Sequence, residues 1–363
     1  MTSLRQIKDR IHSVQSTKQI TSSMKVVALA RLKKLHQAFT KTDVYFLEMT
    51  RMVRRLLRAV SAKQEEINAT SVEEVTLIPS VLSGRGKEDV FVVAVLTSDD
   101  GLSGLSNLQV VEKAREVITY LEAEKKTVRL VCLGTKGADL LRRDYPNRNI
   151  MVFPRKAQKN DSLFADAENM VMHLLKAFED DRFDVCVCIH NKFKSVVSQK
   201  PTIEQLIPNK LFAEKNPWQF LIAGKLPDYM KKDILGHQHV AVTDSAFLKA
   251  FGGAAMLEAF GQIDERLMHE ALRDPWVYDY DPSAEENLEK VLPQYLTACV
   301  YRMLLEADVS DNAARLIAMD NSTRNANQML DTLQKKYANT RQNLITTDLV
   351  ERAGATLFPD EKI

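Results

Sequence analysis

Apolar residues recur at alternating steps of three and four from the start of the chain. They fall at Leu4, Ile7, Ile11 and Val14, then Ala28, Leu32, Leu35 and Phe39, then Phe46, Met49, Val53, Leu56 and Val60. One strict heptad drawn over residues 4–60 has seventeen seam positions, thirteen of them apolar, and no Pro or Gly precedes Pro79. A 3.5-residue repeat sustained this long keeps one stripe against a partner, so the spacing predicts a coiled-coil helix. Sixty helical residues would reach roughly 90 Å. The polar seam positions are Lys18, Thr21, Lys25 and Thr42. Around Lys18–Lys25 the apolar stripe passes instead to Ile20, Met24 and Val27. This reads as a local change of register that re-aims the charged residues outward, either a packing irregularity or a partner-contact zone.

The other end of the chain mirrors the first. Between Pro293 and Gly354 there is again no Pro or Gly, and Leu316, Met319, Thr323, Ala326, Leu330, Leu333, Tyr337, Thr340 and Leu344 hold the three-four rhythm. Small residues at Thr323 and Ala326 allow close approach. The expected partner of this helix is the N-terminal one, packed antiparallel.

In between, the period changes. Val90–Thr97, Val128–Leu133, Ile150–Phe153 and Phe183–Ile189 read as strands, with Val196–Gln205 as an edge strand. Helical spacing covers about 107–126, 136–144 and 162–180. Alternating strands and helices imply a small, mostly parallel α/β (Rossmann-like) domain. The expected organisation is a coiled-coil helix over 1–78, an α/β domain over 89–208, an inserted subdomain over 209–276, a second coiled-coil helix over 283–353 and a tail over 354–363.

Charge sharpens this picture. Residues 1–60 hold thirteen Lys or Arg against three acids, a net +10, which leaves −8 for the rest of a chain of formal charge +2. Such a split points the first helix at an acidic partner: nucleic acid, membrane or protein. Nucleic-acid binding is disfavoured, because aromatic residues are scarce there and no binding motif appears. A basic, Ser-containing start also reads as a transit peptide, but the helical pattern continues past any plausible cleavage point. Cys132, Cys186, Cys188 and Cys299 lie in apolar runs without CxxC spacing and read as buried thiols. No apolar run approaches the roughly 20 residues a membrane span needs.

Catalytic chemistry is not legible. The turn Asp99-Asp100-Gly101-Leu102-Ser103-Gly104 stands where a phosphate loop would, but lacks GxGxxG spacing and a P-loop Lys. His237-Gln238-His239 offers two metal ligands without a third. No catalytic, cofactor or metal site is expected.

Three segments carry a specific resemblance. The first is Leu4-Arg5-Gln6-Ile7-Lys8 with Thr17-Lys18-Gln19-Ile20-Thr21 and Met24-Lys25-Val26-Val27-Ala28. The second is Ala313-Ala314-Arg315 followed by Ala318-Met319-Asp320-Asn321-Ser322-Thr323-Arg324-Asn325-Ala326. The third is Tyr337-Ala338-Asn339-Thr340-Arg341-Gln342 with Ile345-Thr346. With Thr97-Ser98-Asp99, Asp100-Gly101-Leu102 and Asn191-Lys192-Phe193 between them, these resemble the gamma subunits of F-type ATP synthases over about 1–208 and 277–350.

The resemblance implies a central rotor stalk with no active site of its own. Its partners would be the alpha and beta subunits of the head, the epsilon subunit and the membrane c-ring. It implies contacts to beta subunits from Met24 and Lys25, and from Arg341 and Gln342. It implies a peripheral place at a bacterial inner membrane, cytoplasmic side, or alternatively at the matrix side of a mitochondrial inner membrane. Three departures stand out. Ser103-Gly104-Leu105 replaces the family's Cys-Gly-Gly, the ending Glu351–Ile363 is unusual, and residues 209–276 look like an insertion without Cys.

Overall fold

The computed structural model describes residues 4–70, 76–155, 160–209 and 278–357. The expected insertion at 209–276, apart from Asn209, and the His237-Gln238-His239 run lie outside the described residues. The chain forms two compact units, one made of Met1–Ala30 with Arg315–Ile363, the other of Arg31–Ala314.

Helix α1 runs over Leu4–Thr70 and the last helix, α6, over Ala284–Leu357, through Pro293. In the smaller unit Ile7, Thr21 and Ala28 of α1 are buried, as are Leu316, Met319, Ala326 and Leu330 of α6. The pairing is antiparallel. Thr21 Oγ1 meets Thr323 Oγ1 at 2.9 Å, and Lys25 meets Asp320 at 2.7 Å. The seam of α6 stays half-buried to Thr340 and is lost at Leu344, which is 50% exposed. Extended along both helices, the register of Thr21 with Thr323 and Lys25 with Asp320 brings Thr340 level with the first described residues of α1.

The larger unit holds a sheet of β1 (Val90–Leu96), β2 (Thr127–Leu133), β3 (Ile150–Phe153), β4 (Val185–Phe193) and β5 (Gln199–Ile207). The order is β3-β2-β1-β4-β5, all parallel except β5, which pairs antiparallel with β4 at the edge. Between strands lie α3 (Ser106–Ala123), α4 (Thr135–Asp144) and α5 (Asn160–Glu179), and a single turn, α2 (Ser80–Ser83), precedes β1.

Period-two alternation divides the core. Phe91, Val93 and Val95 face Val110, Ala114 and Val117 of α3 and Leu141 of α4. Val92, Ala94 and Leu96 face the other way, into a layer containing Met49, Val53, Leu56 and Val60 of α1, Leu174 of α5, and Leu288, Leu296 and Leu304 of α6. Covered on both faces, β1 can be apolar at every position, and a parallel sheet requires that. Half of α1 therefore serves as a core layer of the α/β unit, with the same heptad stripe doing the packing. Antiparallel pairing recurs here: Asp43 binds Arg302 at 2.7 Å, Phe46 stacks on Tyr295, and Lys63 binds Glu285.

All four cysteines are free and buried, as expected. Burial pushes the Cys132 and Cys299 thiols up to about 12.

Candidate functional site in the helices and at the end of the sheet

The smaller unit overturns the expected change of register. Lys18, Thr21 and Lys25 stay in the seam, half-buried or buried, while Ile20 and Val27 are 60% and 51% exposed. Of the stripe Ile20-Met24-Val27, the two ends face solvent and Met24 is half-buried. The reason is local chemistry: Lys25 and Thr21 find polar partners across the helix pair, so the strict heptad need not be broken to satisfy them.

Lys25 is thus an internal group. Its ammonium pairs with Asp320, whose carboxylate is also held by Arg324 at 2.5 Å. Burial would raise the Asp320 pKa, but the hydrogen bonds and charges of Lys25 and Arg324 outweigh it and hold the carboxyl below its ordinary value. Met24 beside it is half-buried. Arg341 and Gln342 are exposed on α6, followed by exposed Leu344, Ile345, Leu349 and Val350. The unit therefore displays two apolar surfaces, one on each helix. Uncovered apolar clusters of this kind are candidate contact surfaces.

The larger unit contains the place where a doubly wound sheet would take a ligand, the crevice at the carboxyl ends of the strands where the order reverses. Here that point lies between β1 and β4. It is filled from within. After β1, Asp99 accepts the Thr135 amide at 2.6 Å and the Arg155 amide at 3.0 Å, and Thr97 Oγ1 accepts the Gly137 amide at 3.0 Å. The amides at the start of α4, which would otherwise hold an anion, are taken by the protein itself. The approach is so close that a Cβ on Gly134 would lie 2.2 Å from the Thr97 carbonyl oxygen.

Helix α6 closes the rest of the crevice. Ser310 Oγ donates to the Asn191 carbonyl at 3.0 Å, and Asn191 donates to the Ser106 carbonyl at 2.9 Å. The Ser98 hydroxyl lies 3.2 Å from the Asp311 carboxylate. Glu306 accepts the Phe193 amide and meets His190 Nε2 at 3.3 Å. Arg155 binds Asp308 at 2.6 Å and donates to the Thr97 carbonyl at 3.2 Å. Burial alone would lower the Arg155 pKa, yet the net direction is upward because Asp308 faces it, with Asp99 and Asp311 close by. Burial would likewise raise Glu306, but His190, Arg302 and Lys192 carry it below the ordinary range. Arg155, Asp308 and Asp311 escaped the sequence reading, and Ser98 entered it only within the segment Thr97-Ser98-Asp99. For Asp308 and Asp311 the available signal was the run of polar residues inside an otherwise apolar stretch of the last helix.

Among the described residues no group of three or more His, Cys, Asp or Glu is placed to hold a metal ion. Among the same residues no helix is long and apolar enough to cross a membrane.

One unit is an antiparallel helix pair, and the other is an α/β unit whose strand ends are covered by the last helix. A family model for ATP synthase matches residues 3–356. The ATP synthase gamma chains of Granulibacter bethesdensis and Rhodospirillum rubrum are 33% and 31% identical over 351 residues, covering 97% of this chain and 97% of each relative. The chain belongs to the ATP synthase gamma chain family. A chain of the Euglena gracilis mitochondrial ATP synthase, solved as its OSCP/F1/c-ring assembly, shares the fold. That likeness has a TM-score of 0.51 at 16% identity and covers 99% of this chain and 96% of that one.

Proposed function

We infer that the chain is the central-stalk subunit of an F-type ATP synthase, turning inside a head of alpha and beta subunits and coupling proton flow to their ATP chemistry. The observation that carries this reading is the helix pair with its two uncovered apolar surfaces, Ile20 with Val27 and Leu344 with Leu349. A single asymmetric shaft meets three equivalent catalytic subunits in three different ways, so each is held in a different state and rotation exchanges them.

The contacts follow from the same surface. Met24 and its exposed neighbours Ile20 and Val27 face the beta subunits, and Lys25 supports that face from beneath through Asp320. Arg341 and Gln342 make a second, polar contact with a beta subunit. The net +10 of residues 1–60 meets acidic loops of the same subunits. The epsilon subunit and the c-ring bind the α/β unit. This subunit contributes no catalytic group of its own, a reading supported by the crevice being occupied by Asp308, Ser310 and Asp311. It sits peripherally at the membrane, on the cytoplasmic side in a bacterium or the matrix side in a mitochondrion. Residues 209–276 are read as an insertion relative to the family.

The test is a pull-down of the tagged chain from its native membranes, with subunit identification and an ATPase assay. Recovery of alpha, beta and epsilon subunits with nucleotide turnover is expected. Recovery of the chain alone, or with nucleic acid, would overturn the reading. Deleting residues 209–276 tests the insertion: unchanged assembly and coupling mark it as decoration.

A further inference from the structure

Two largely buried ion pairs hold α6 within the larger unit. Arg302 reaches Asp43 on α1, and its guanidinium also lies over the Phe39 and Phe46 rings. Asp308 reaches Arg155, which follows β3. Six residues of helix separate the two anchors, about 9 Å along the axis and about 120° around it. A helix held at two azimuths cannot turn about its own axis, or slide, without parting a buried pair.

The apolar part of the contact would permit such slip. Leu288, Leu296, Val300 and Leu304 pack on the sheet through apolar side chains. Apolar burial is non-directional, so it resists separation far more than rotation or translation. Buried ion pairs behave in the opposite way. They add little net stability over an apolar pair of the same volume, and their best-attested role is to set register. Arg155 is suited to this. Its amide is bound by Asp99, its guanidinium by Thr97 and Asp308, and its side chain is only 9% exposed.

Resting on the rotor reading above, we propose that Arg155 is a positioning residue for torque. It locks α6 in the crevice of the sheet through Asp308, so that force applied to the α/β unit reaches the shaft helix without slip. The hydrogen bonds of Ser310 to Asn191 and of Glu306 to the Phe193 amide seat the helix beside it.

The experiment uses the assembled ATP synthase in sealed vesicles, carrying the wild-type chain, R155M, R155K, or the charge swap R155D with D308R. Proton pumping per ATP hydrolysed is read together with thermal unfolding of the complex. R155M is expected to lower pumping per ATP by roughly threefold or more, as for a directional contact removed from one of two anchors. The swap is expected to recover most of it, and R155K to fall between. Should R155M fail to assemble, R155K supplies the same comparison, since it keeps the charge and loses the fork. Equal pumping per ATP in wild type and variants would overturn the proposal, as would a lowered melting temperature with the ratio unchanged. A wild-type complex that excludes this chain would instead remove the rotor reading itself.

Discussion

Lys25 and Asp320 lie 295 positions apart in sequence, yet their side chains meet at 2.7 Å across the helix pair. The pair places a charged residue in a coiled-coil seam without breaking the heptad. It explains why the apolar stripe of Ile20 and Val27 is left for the outside, and several expectations follow from that division.

The first concerns pH. The Asp320 carboxyl is held below its ordinary value, so folding favours its ionised form. A native pKa below the unfolded one gives a stabilisation that is complete above the unfolded range near pH ~4 and lost as pH falls through the native value. Amide protection over residues 4–30, corrected for the intrinsic pH dependence of exchange, should therefore fall as the medium is acidified below that range. In Asp320→Asn this pH response should shrink markedly, with faster exchange at neutral pH.

The outer stripe should separate folding from assembly. Ile20→Asp together with Val27→Asp replaces exposed side chains, so the isolated chain should melt within the range of ordinary surface changes, about 0.5 kcal/mol each. Recovery of the chain in complex with its partners should fall by about tenfold or more if those side chains are covered there. Co-purification quantified against the wild type reads this directly, and unchanged recovery would remove the stripe from the interface.

Backbone approach makes a sharper contrast between two glycines. Gly134 has φ +101° and no room for a Cβ against Thr97, whereas Gly101 has nothing within 4 Å. Gly134→Ala should cost about 2–5 kcal/mol through backbone strain and overpacking. Gly101→Ala should stay within about 0.5 kcal/mol. Denaturant unfolding of the two variants checks both.

Thiol chemistry offers a probe of the larger unit. Cys132 and Cys299 are buried, with thiols raised to about 12, so almost no thiolate is present at pH 8. Alkylation of the native chain should be slow at both and become rapid with unfolding, which mass spectrometry at each cysteine can follow. Rapid labelling under native conditions would mean that the core opens locally.

Much of this architecture was legible residue by residue. The continuous apolar run Val90–Thr97 announced the strand observed at Val90–Leu96, and Ile150–Phe153 appeared with the bounds read from sequence. The helices α3, α4 and α5 matched to within a few residues. The four-residue helix Ser80–Ser83 was missed, since one turn is too short to carry a period. Of the surface read as a partner contact, Arg341 and Gln342 are exposed, while Lys25 is drawn inward by Asp320.

The sequence by itself determined the elements and their apolar stripes, because periodicity is a local property that each segment carries whole. It also determined the antiparallel pairing of the two ends, since both seams are long, free of Pro and Gly over most of their length, and complementary. Only the tertiary structure decided what each polar exception does. Whether Lys25 points outward or inward depends on Asp320, and whether the sheet crevice is open depends on Arg155 meeting Asp308. Each of those pairings joins residues more than a hundred positions apart, and the cost of burying a charge is set by the partner it finds rather than by its own neighbours.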